Sequence, residues 1–395
     1  MHDNNDPILI ISGDDACYNA LNDFASAFSY ELTSLGYKNI VRDIFYINPD
    51  LLDELIKDNY RAIVGFQTNL FTLRLPAGRQ IGEVLTMPKY NFIFDPPANK
   101  LSFYSYDDPS MNLLLCDDGY IEFINTYFSG EKKVHYLPPG GGLPQDSLNT
   151  PEYSDRKYDL TFMGTYYDYR GILQNAITCN PDFSGIILDF FQYLLDRPNT
   201  SAEHAIVDFL SDNGISMEKA VFLKLFEILY ASEKAVSSYY RELIIRTFLS
   251  RDIRIDVFSD SWQNAPFADH KNLFIHDDVS YRDTFQYLSK SKLSLNIFSW
   301  HKSMMSERIA NIMLSGAVCI SDYSHRLNAL FKNNEDIILF DLEKPDDAAD
   351  LIINLLNDDE KRQYIAKAGY DNALNNHTWK KRVEMFIDLL ETVSL

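Results

Sequence analysis

Short apolar runs alternate with segments of helical period along almost the whole chain. Residues 7–12 (PILIIS) predict a first strand, and the turn after it leads into a helix over 17–35. A second strand is expected at 38–46, a short helix at 51–57 and a third strand at 61–66. Residues 90–94 (YNFIF) run into Asp95-Pro96-Pro97, where proline can continue neither a ladder nor a helix. A strand at 112–116, a helix at 119–128 and a strand at 133–137 complete this half. Strand–helix alternation of this kind predicts a doubly wound α/β domain over residues 1–145.

Residues 138–157 are rich in Pro, Gly and polar side chains, and 146–157 are expected to link and hinge two domains. A second α/β domain is expected over 158–376. It opens with a strand at 158–163, and residues 182–235 have helical spacing without strand runs, which predicts a helical insertion. A helix over 236–250, strands at 253–258 and 273–275, and a helix over 281–289 resume the alternation, with Ser280 expected as the helix cap.

The most informative stretch is 291–322. Its run at 293–298 has the length of a buried parallel strand. From Ser306 the spacing turns helical, with Ile309, Ile312 and Met313 on one face, and Gly316 stands where a left-handed cap favours glycine. Residues 317–320 supply the next strand. In a parallel sheet, loops that leave strand carboxyl ends and enter helices are the ligand-binding positions. The loop here is 299–306; it contains His301 and Lys302, and Ser306 can cap the helix. Arg308 in the first turn opposes the helix dipole, which an anion would offset. Solvation, or pairing with Glu307, is the competing explanation for Arg308.

At 395 residues the chain can bury two cores. Its formal net charge of −21 argues against a nucleic-acid partner, whose backbone requires a basic face. An anionic ligand would therefore need a small, local positive island. The four cysteines show neither metal nor redox spacing, and the eight histidines lack ligand spacing. Neighbouring aspartates recur, but without the Asp-any-Asp spacing of a metal site, so no metal is expected. The opening MHDNND is unlike a signal peptide and no apolar run approaches a membrane span, which predicts a cytoplasmic location.

Leu295-Asn296, Arg308, Asn311 and Ser315-Gly316-Ala317 follow one another in an order that resembles the carboxyl-terminal half of GT-B glycosyltransferases, particularly the CgeB-like group. The strand at 336–340, the helices after it, and His377-Thr378 opening a last helix with Arg382 follow the same group's closing pattern. The resemblance is good over the last third and thin before it. It implies two Rossmann-like domains facing across a cleft, with the helix of 377–395 packing back on the first. It implies a hexosyltransferase-type, metal-independent enzyme without a cofactor. The donor would be a nucleotide-diphosphate sugar, UDP-linked ahead of GDP-linked, and the acceptor a glycan, protein or small-molecule hydroxyl. One departure is Asn311, where the group usually has a Glu that accepts hydrogen bonds from ribose hydroxyls.

Gly164-Thr165 follows a strand, so its backbone can approach a phosphate and its hydroxyl can donate; an ordinary strand-to-helix turn would look the same. By the resemblance, the loop holding Val279 and Ser280 cradles the nucleotide base. Trp262 is expected in the core. Asp14 and Asp95 follow strands of the first domain, where a carboxylate could take the acceptor's proton. Two alternatives stand beside the transferase: a nucleotide-sugar epimerase on the same fold, and a non-catalytic nucleotide-sugar-binding partner of another glycosyltransferase; a homo-oligomer is a further possible assembly.

Overall fold

The computed structural model describes residues 6–13, 16–44, 49–75, 78–104, 108–128, 132–142, 153–298 and 301–393. The chain divides into two compact units. One comprises Met1–Ser147, Ser280–Arg282 and His377–Leu395, the other Leu148–Val279 and Asp283–Asn376.

The first unit contains β1 (Ile8–Ser12), α1 (Ala16–Ser34), β2 (Asn39–Asp43), α2 (Pro49–Lys57), β3 (Ala62–Phe66), α3 (Ile81–Val84) and β4 (Lys89–Ile93). It continues with α4 (Leu101–Tyr104), β5 (Met111–Leu115), α5 (Asp118–Tyr127) and β6 (Lys133–Tyr136). The six strands form one sheet in the order β2-β1-β3-β4-β5-β6, and every pairing is parallel. The apolar runs are short and uninterrupted because both faces of the sheet are covered. Phe66 and Phe92 stack at 4.8 Å on adjacent strands, and Phe28 of α1 meets Phe386 of the terminal helix Trp379–Val393 at 5.1 Å.

That terminal helix is tied to the segment after β6. Gly141 donates to His377 O at 2.8 Å, and Arg382 Nε donates to Pro139 O at 3.2 Å. A Cβ on Gly140 would lie 2.4 Å from Trp379 N, so only glycine permits this approach. The proline- and glycine-rich run is thus anchored at 138–142, while residues 143–152 lie outside the described part.

The second unit contains β7 (Tyr158–Phe162), α6 (Tyr169–Cys179), α7 (Ser184–Leu195), α8 (Ala202–Asp212), α9 (Lys219–Ser250), β8 (Ile255–Phe258) and β9 (Leu273–His276). It continues with α10 (Thr284–Leu288), β10 (Ser291–Asn296), α11 (Glu307–Leu314), β11 (Val318–Asp322) and α12 (His325–Leu330). Then come β12 (Ile338–Phe340), α13 (Pro345–Leu356) and α14 (Asp359–Asn376). Its sheet is again parallel, ordered β12-β11-β10-β7-β8-β9, which puts β10 and β7 at the centre.

Two local expectations change. The helix expected from residue 236 is the second half of α9, which is 32 residues long. Its polar Ser232-Glu233 does not break it, because both residues are buried and Ser232 Oγ donates to Ile187 O at 2.8 Å. Nor does Ser280 cap a helix: α10 starts at Thr284 behind Asp283. Residues 280–282 belong to the first unit instead, with Tyr281 N donating to Tyr18 O at 3.0 Å and Arg282 pairing with Asp23 at 3.0 Å. Gly316 ends α11 as expected, at φ 70°. Among the described residues no helix is long and apolar enough to cross a membrane.

Candidate functional site

The central strands of the second unit deliver their carboxyl ends to one place. At the end of β10, buried Asn296 donates through Nδ2 to Ser321 Oγ at 2.9 Å and accepts from Arg308 Nη1 at 3.4 Å. Two residues on, Phe298 N donates to Asp322 Oδ1 at 2.7 Å. Lys302 is drawn to the same carboxylate, with Nζ 3.3 Å from Asp322 Oδ2 and 3.4 Å from Tyr323 O. Both members of this pair are buried, so Lys302, expected to meet a ligand, holds its own loop to β11. Ser299 and Trp300 of the loop lie outside the described residues.

Ser306 occupies the N-cap position of α11 with extended backbone, φ −86° and ψ 157°, but its side chain makes no capping hydrogen bond. Its Oγ is buried without a partner. Arg308 follows in the first turn and Asn311 one turn later, where it is 3% exposed.

The loop after β7 is fixed from the neighbouring strand. Trp262 Nε1 donates to Gly164 O at 2.7 Å, and Tyr166 N donates to Ser261 Oγ at 2.9 Å. Trp262 is fully buried, as the sequence suggested, but it also sets the Gly164 turn. Thr165 O accepts from Arg241 Nη1, a side chain of α9, at 3.3 Å.

Arg241 was not foreseen. Its Nε is buried with no partner, and among the described residues no carboxylate lies within ion-pair distance of Arg241 or of Arg308. Burial, and then the field of Arg308, push Arg241 down to about 10, against smaller support from Tyr167 and Asp322. His301 is pushed down to about 3 by burial and by Lys302, Arg241 and Arg308. Burial raises the Glu307 carboxyl, and Arg308 opposes that shift. Arg308 on Asn296 and Arg241 on Thr165 O lie past the ends of the paired strands β10 and β7, a local positive cluster in a chain of net charge −21.

The structure therefore brings together His301, Lys302, Ser306, Arg308 and Asn311, and connects Thr165, with Gly164, to them through Arg241. Val279 lies in the second unit, three residues beyond the end of β9, and Ser280 in the first. Asp95 sits in the first unit after β4, its Oδ2 accepting from Gln67 Nε2 at 3.0 Å and Asn99 Nδ2 at 2.9 Å, with Lys100 Nζ at 3.5 Å. Its carboxylate organises the Asp95–Asn99 turn. Asp14 lies outside the described residues.

Two units of this kind, each a six-stranded parallel sheet flanked by helices, are the GT-B α/β fold, as expected. Residues 241–388 match the family described as glycosyl transferase-like. Among solved structures, the chain is similar to an alpha-glucosyltransferase in complex with UDP and a 13-mer DNA containing an HMU base. That likeness has 10% identity and a TM-score of 0.62, over 98% of this chain and 99% of the other. The alpha-glucosyltransferase bound to UDP-glucose and abasic-site DNA gives 11% identity and a TM-score of 0.56, over 97% and 98%. Sucrose-phosphate synthase from Thermosynechococcus elongatus gives 10% and 0.56, over 98% and 99%. At such identities the likeness is one of fold. No curated protein matches the chain in sequence.

Proposed function

We propose that this protein is a glycosyltransferase that moves a sugar from a nucleotide-diphosphate donor, UDP-linked, to an acceptor hydroxyl. The observation that carries this is a pair of guanidiniums without carboxylate partners past the ends of the paired strands β10 and β7, Arg308 on Asn296 and Arg241 on Thr165 O. Two such cations call for an anion, and a diphosphate supplies one of the right charge.

In this reading Arg308, the α11 N-terminus and the Ser306 hydroxyl receive phosphate oxygens. The Gly164-Thr165 turn lets the backbone approach, and Asn311 accepts or donates to ribose hydroxyls. The Val279–Ser280 loop is proposed for the base, with His301 lining the phosphate end. As the anomeric carbon–oxygen bond breaks, its electron pair goes to the diphosphate oxygen, and the positive cluster stabilises that charge. The acceptor oxygen bonds to the anomeric carbon and its proton passes to a carboxylate, for which Asp95 is the proposed residue and Asp14 the second choice. Neutralisation by arginine and helix dipole fits a metal-independent reaction.

Calorimetric titration with UDP and a panel of UDP- and GDP-sugars tests this. Arg308→Ala should weaken UDP by roughly ten- to a hundredfold, the loss of a charged hydrogen-bonding group. Absence of nucleoside diphosphate binding by the parent protein at millimolar concentration overturns the proposal. Binding without transfer or hydrolysis of any donor assigns the non-catalytic role.

A further inference from the structure

We propose that Arg241, carried by the middle of α9, is a second ligand of the donor diphosphate, and that Glu242, Arg170 and Tyr166 form the clamp that aims it. The proposal rests on the α11 opening being the diphosphate site.

Three features separate Arg241 from an ordinary structural arginine. The first is its lack of a counter-ion. Arg241 is half-buried with its Nε enclosed; such a guanidinium is normally set against a carboxylate, and one is available at the next residue. Yet the buried carboxylate of Glu242 is taken by Arg170, whose Nη2 and Nη1 lie 3.1 and 3.2 Å from its two oxygens, and by Tyr166 OH at 3.2 Å. Arg246, one turn further along α9, lies 3.9 Å from the same group. Arg241 keeps only the carbonyl of Thr165, with Nε enclosed and unpartnered.

The second is where the guanidinium lies. Its Nη1 meets Thr165 O three residues past the end of β7, Arg308 Nη1 meets Asn296 Oδ1 at the end of β10, and the two strands pair with Phe162 opposite Leu295, so both guanidiniums stand at the same end of the sheet. Arg241 is therefore part of the cluster at α11 although it comes from a helix more than 60 residues earlier in the chain. A diphosphate carries two anionic groups; Arg308 and the helix mouth meet one, and Arg241 meets the other.

The third is the rigidity of its mounting. Tyr166 follows Thr165 directly, and Arg170 opens α6. Both grip Glu242, so the loop after β7 and helix α9 are held as one piece. The Arg241–Thr165 contact is a consequence of that grip, and the fork of the guanidinium is left in a set orientation before any ligand arrives.

Titrations of the full chain with UDP, UMP and uridine test the proposal. The parent should prefer UDP over UMP. Arg241→Gln should lower UDP affinity by about ten- to a hundredfold, collapse the UDP-over-UMP preference and leave uridine binding unchanged. Its ligand-free melting temperature should stay level or rise, because an unpaired charge beside Arg308 has been removed; a structural arginine would give the reverse. Arg241→Lys, which keeps the charge without the fork, should fall between the two. Glu242→Ala should reduce the UDP-over-UMP ratio at constant uridine affinity, with Glu242→Gln closer to the parent. If Arg241→Gln binds UDP like the parent while Arg308→Ala does not, this inference is wrong and the α11 assignment stands. A parent protein that fails to bind UDP removes the α11 assignment itself. A melting temperature lowered by Arg241→Gln, with all three ligands weakened alike, would make Arg241 structural.

Discussion

Lys302 was expected from its loop position to contact a ligand, and the structure gives it a different task that can be measured. Its ammonium is buried against Asp322, 3.3 Å away, and the same carboxylate accepts from Phe298 N at 2.7 Å. Lys302→Met keeps the length of the side chain and removes the charge. Breaking one side of a buried pair costs about 3–5 kcal/mol, because the remaining ion is left without compensation. Asp322 retains the Phe298 amide, so the lower end, about 3 kcal/mol, is the appropriate estimate. For a unit of this size that is a fall in melting temperature of roughly 6–12 °C. The double variant Lys302→Met/Asp322→Asn should recover most of the loss, since the carboxamide can still accept from Phe298 without a stranded charge. Urea denaturation of the parent, both single variants and the double supplies the cycle. A Lys302→Met cost below about 1 kcal/mol, with UDP binding abolished, would refute this reasoning and restore Lys302 as a ligand contact.

Trp262→Phe removes the 2.7 Å hydrogen bond to Gly164 O and should cost about 1–2 kcal/mol of stability. UDP affinity should fall several-fold as the turn loosens, and unchanged affinity would separate the turn from the site. Acidification should destabilise the fold: His301 and His377 are pushed down to about 3 and about 4 by burial and neighbouring cations, against 6.5 when unfolded. Stability is then fully present above about pH 6.5 and is lost as pH falls through the window down to 4 and 3, at up to about 1.4 kcal/mol per unit for each histidine; urea midpoints that stay flat from pH 7 to 4 would contradict this. Gly369→Ala should destabilise by about 1–3 kcal/mol, because a Cβ there would lie 2.7 Å from Asp336 O, whereas Gly185→Ala in α7 meets nothing and should be neutral or mildly stabilising. Equal melting temperatures for the two alanine variants would show that the Gly369 approach is not tight.

What the sequence disclosed, and what it did not, divides along the range of the interactions involved. Strands such as those at 293–298 and 61–66 were legible because a parallel strand covered on both faces has to be a short, unbroken apolar run. The stop at Gly316 was legible because a left-handed cap is a property of a single residue. Helix boundaries that depend on remote contacts were not. Ser280 has the chemistry of a cap, but Tyr281 is held by Tyr18 O, so α10 starts at Thr284. Lys89, just before the strand read at 90–94, is fully buried because Gly82 O, Leu85 O and Asp108 surround its ammonium, contacts that local sequence does not reveal. Half of the candidate site, from His301 to Asn311, follows one strand–loop–helix unit and could be read in order. Arg241 could not, because nothing in YYRELIIR marks which arginine of a long helix will be left without a carboxylate.

The same lack of a carboxylate explains how a strongly acidic chain can present a site for an anion. Net charge acts over distance and is screened within about 8–10 Å at ordinary ionic strength, so at contact range the local groups decide. Here the local groups include two guanidiniums and a helix N-terminus, with Glu307 in the same first turn, Asp322 committed to Lys302 and Glu242 to Arg170. Asn311 extends the pattern. A glutamate at that position would set a carboxylate one turn above Arg308 and neutralise part of the cluster before a ligand arrived. With asparagine, no carboxylate at 311 offsets the field that Arg308 exerts on Arg241 in the ligand-free protein. On the proposed reading, an incoming diphosphate would offset that field as well as forming its own hydrogen bonds, so the repulsion in the empty site would become affinity for the occupied one. On the same reading, the uncharged group at 311 would be offset on the phosphate side. The proposed site would then draw more of its affinity from the diphosphate than from the ribose of the nucleotide.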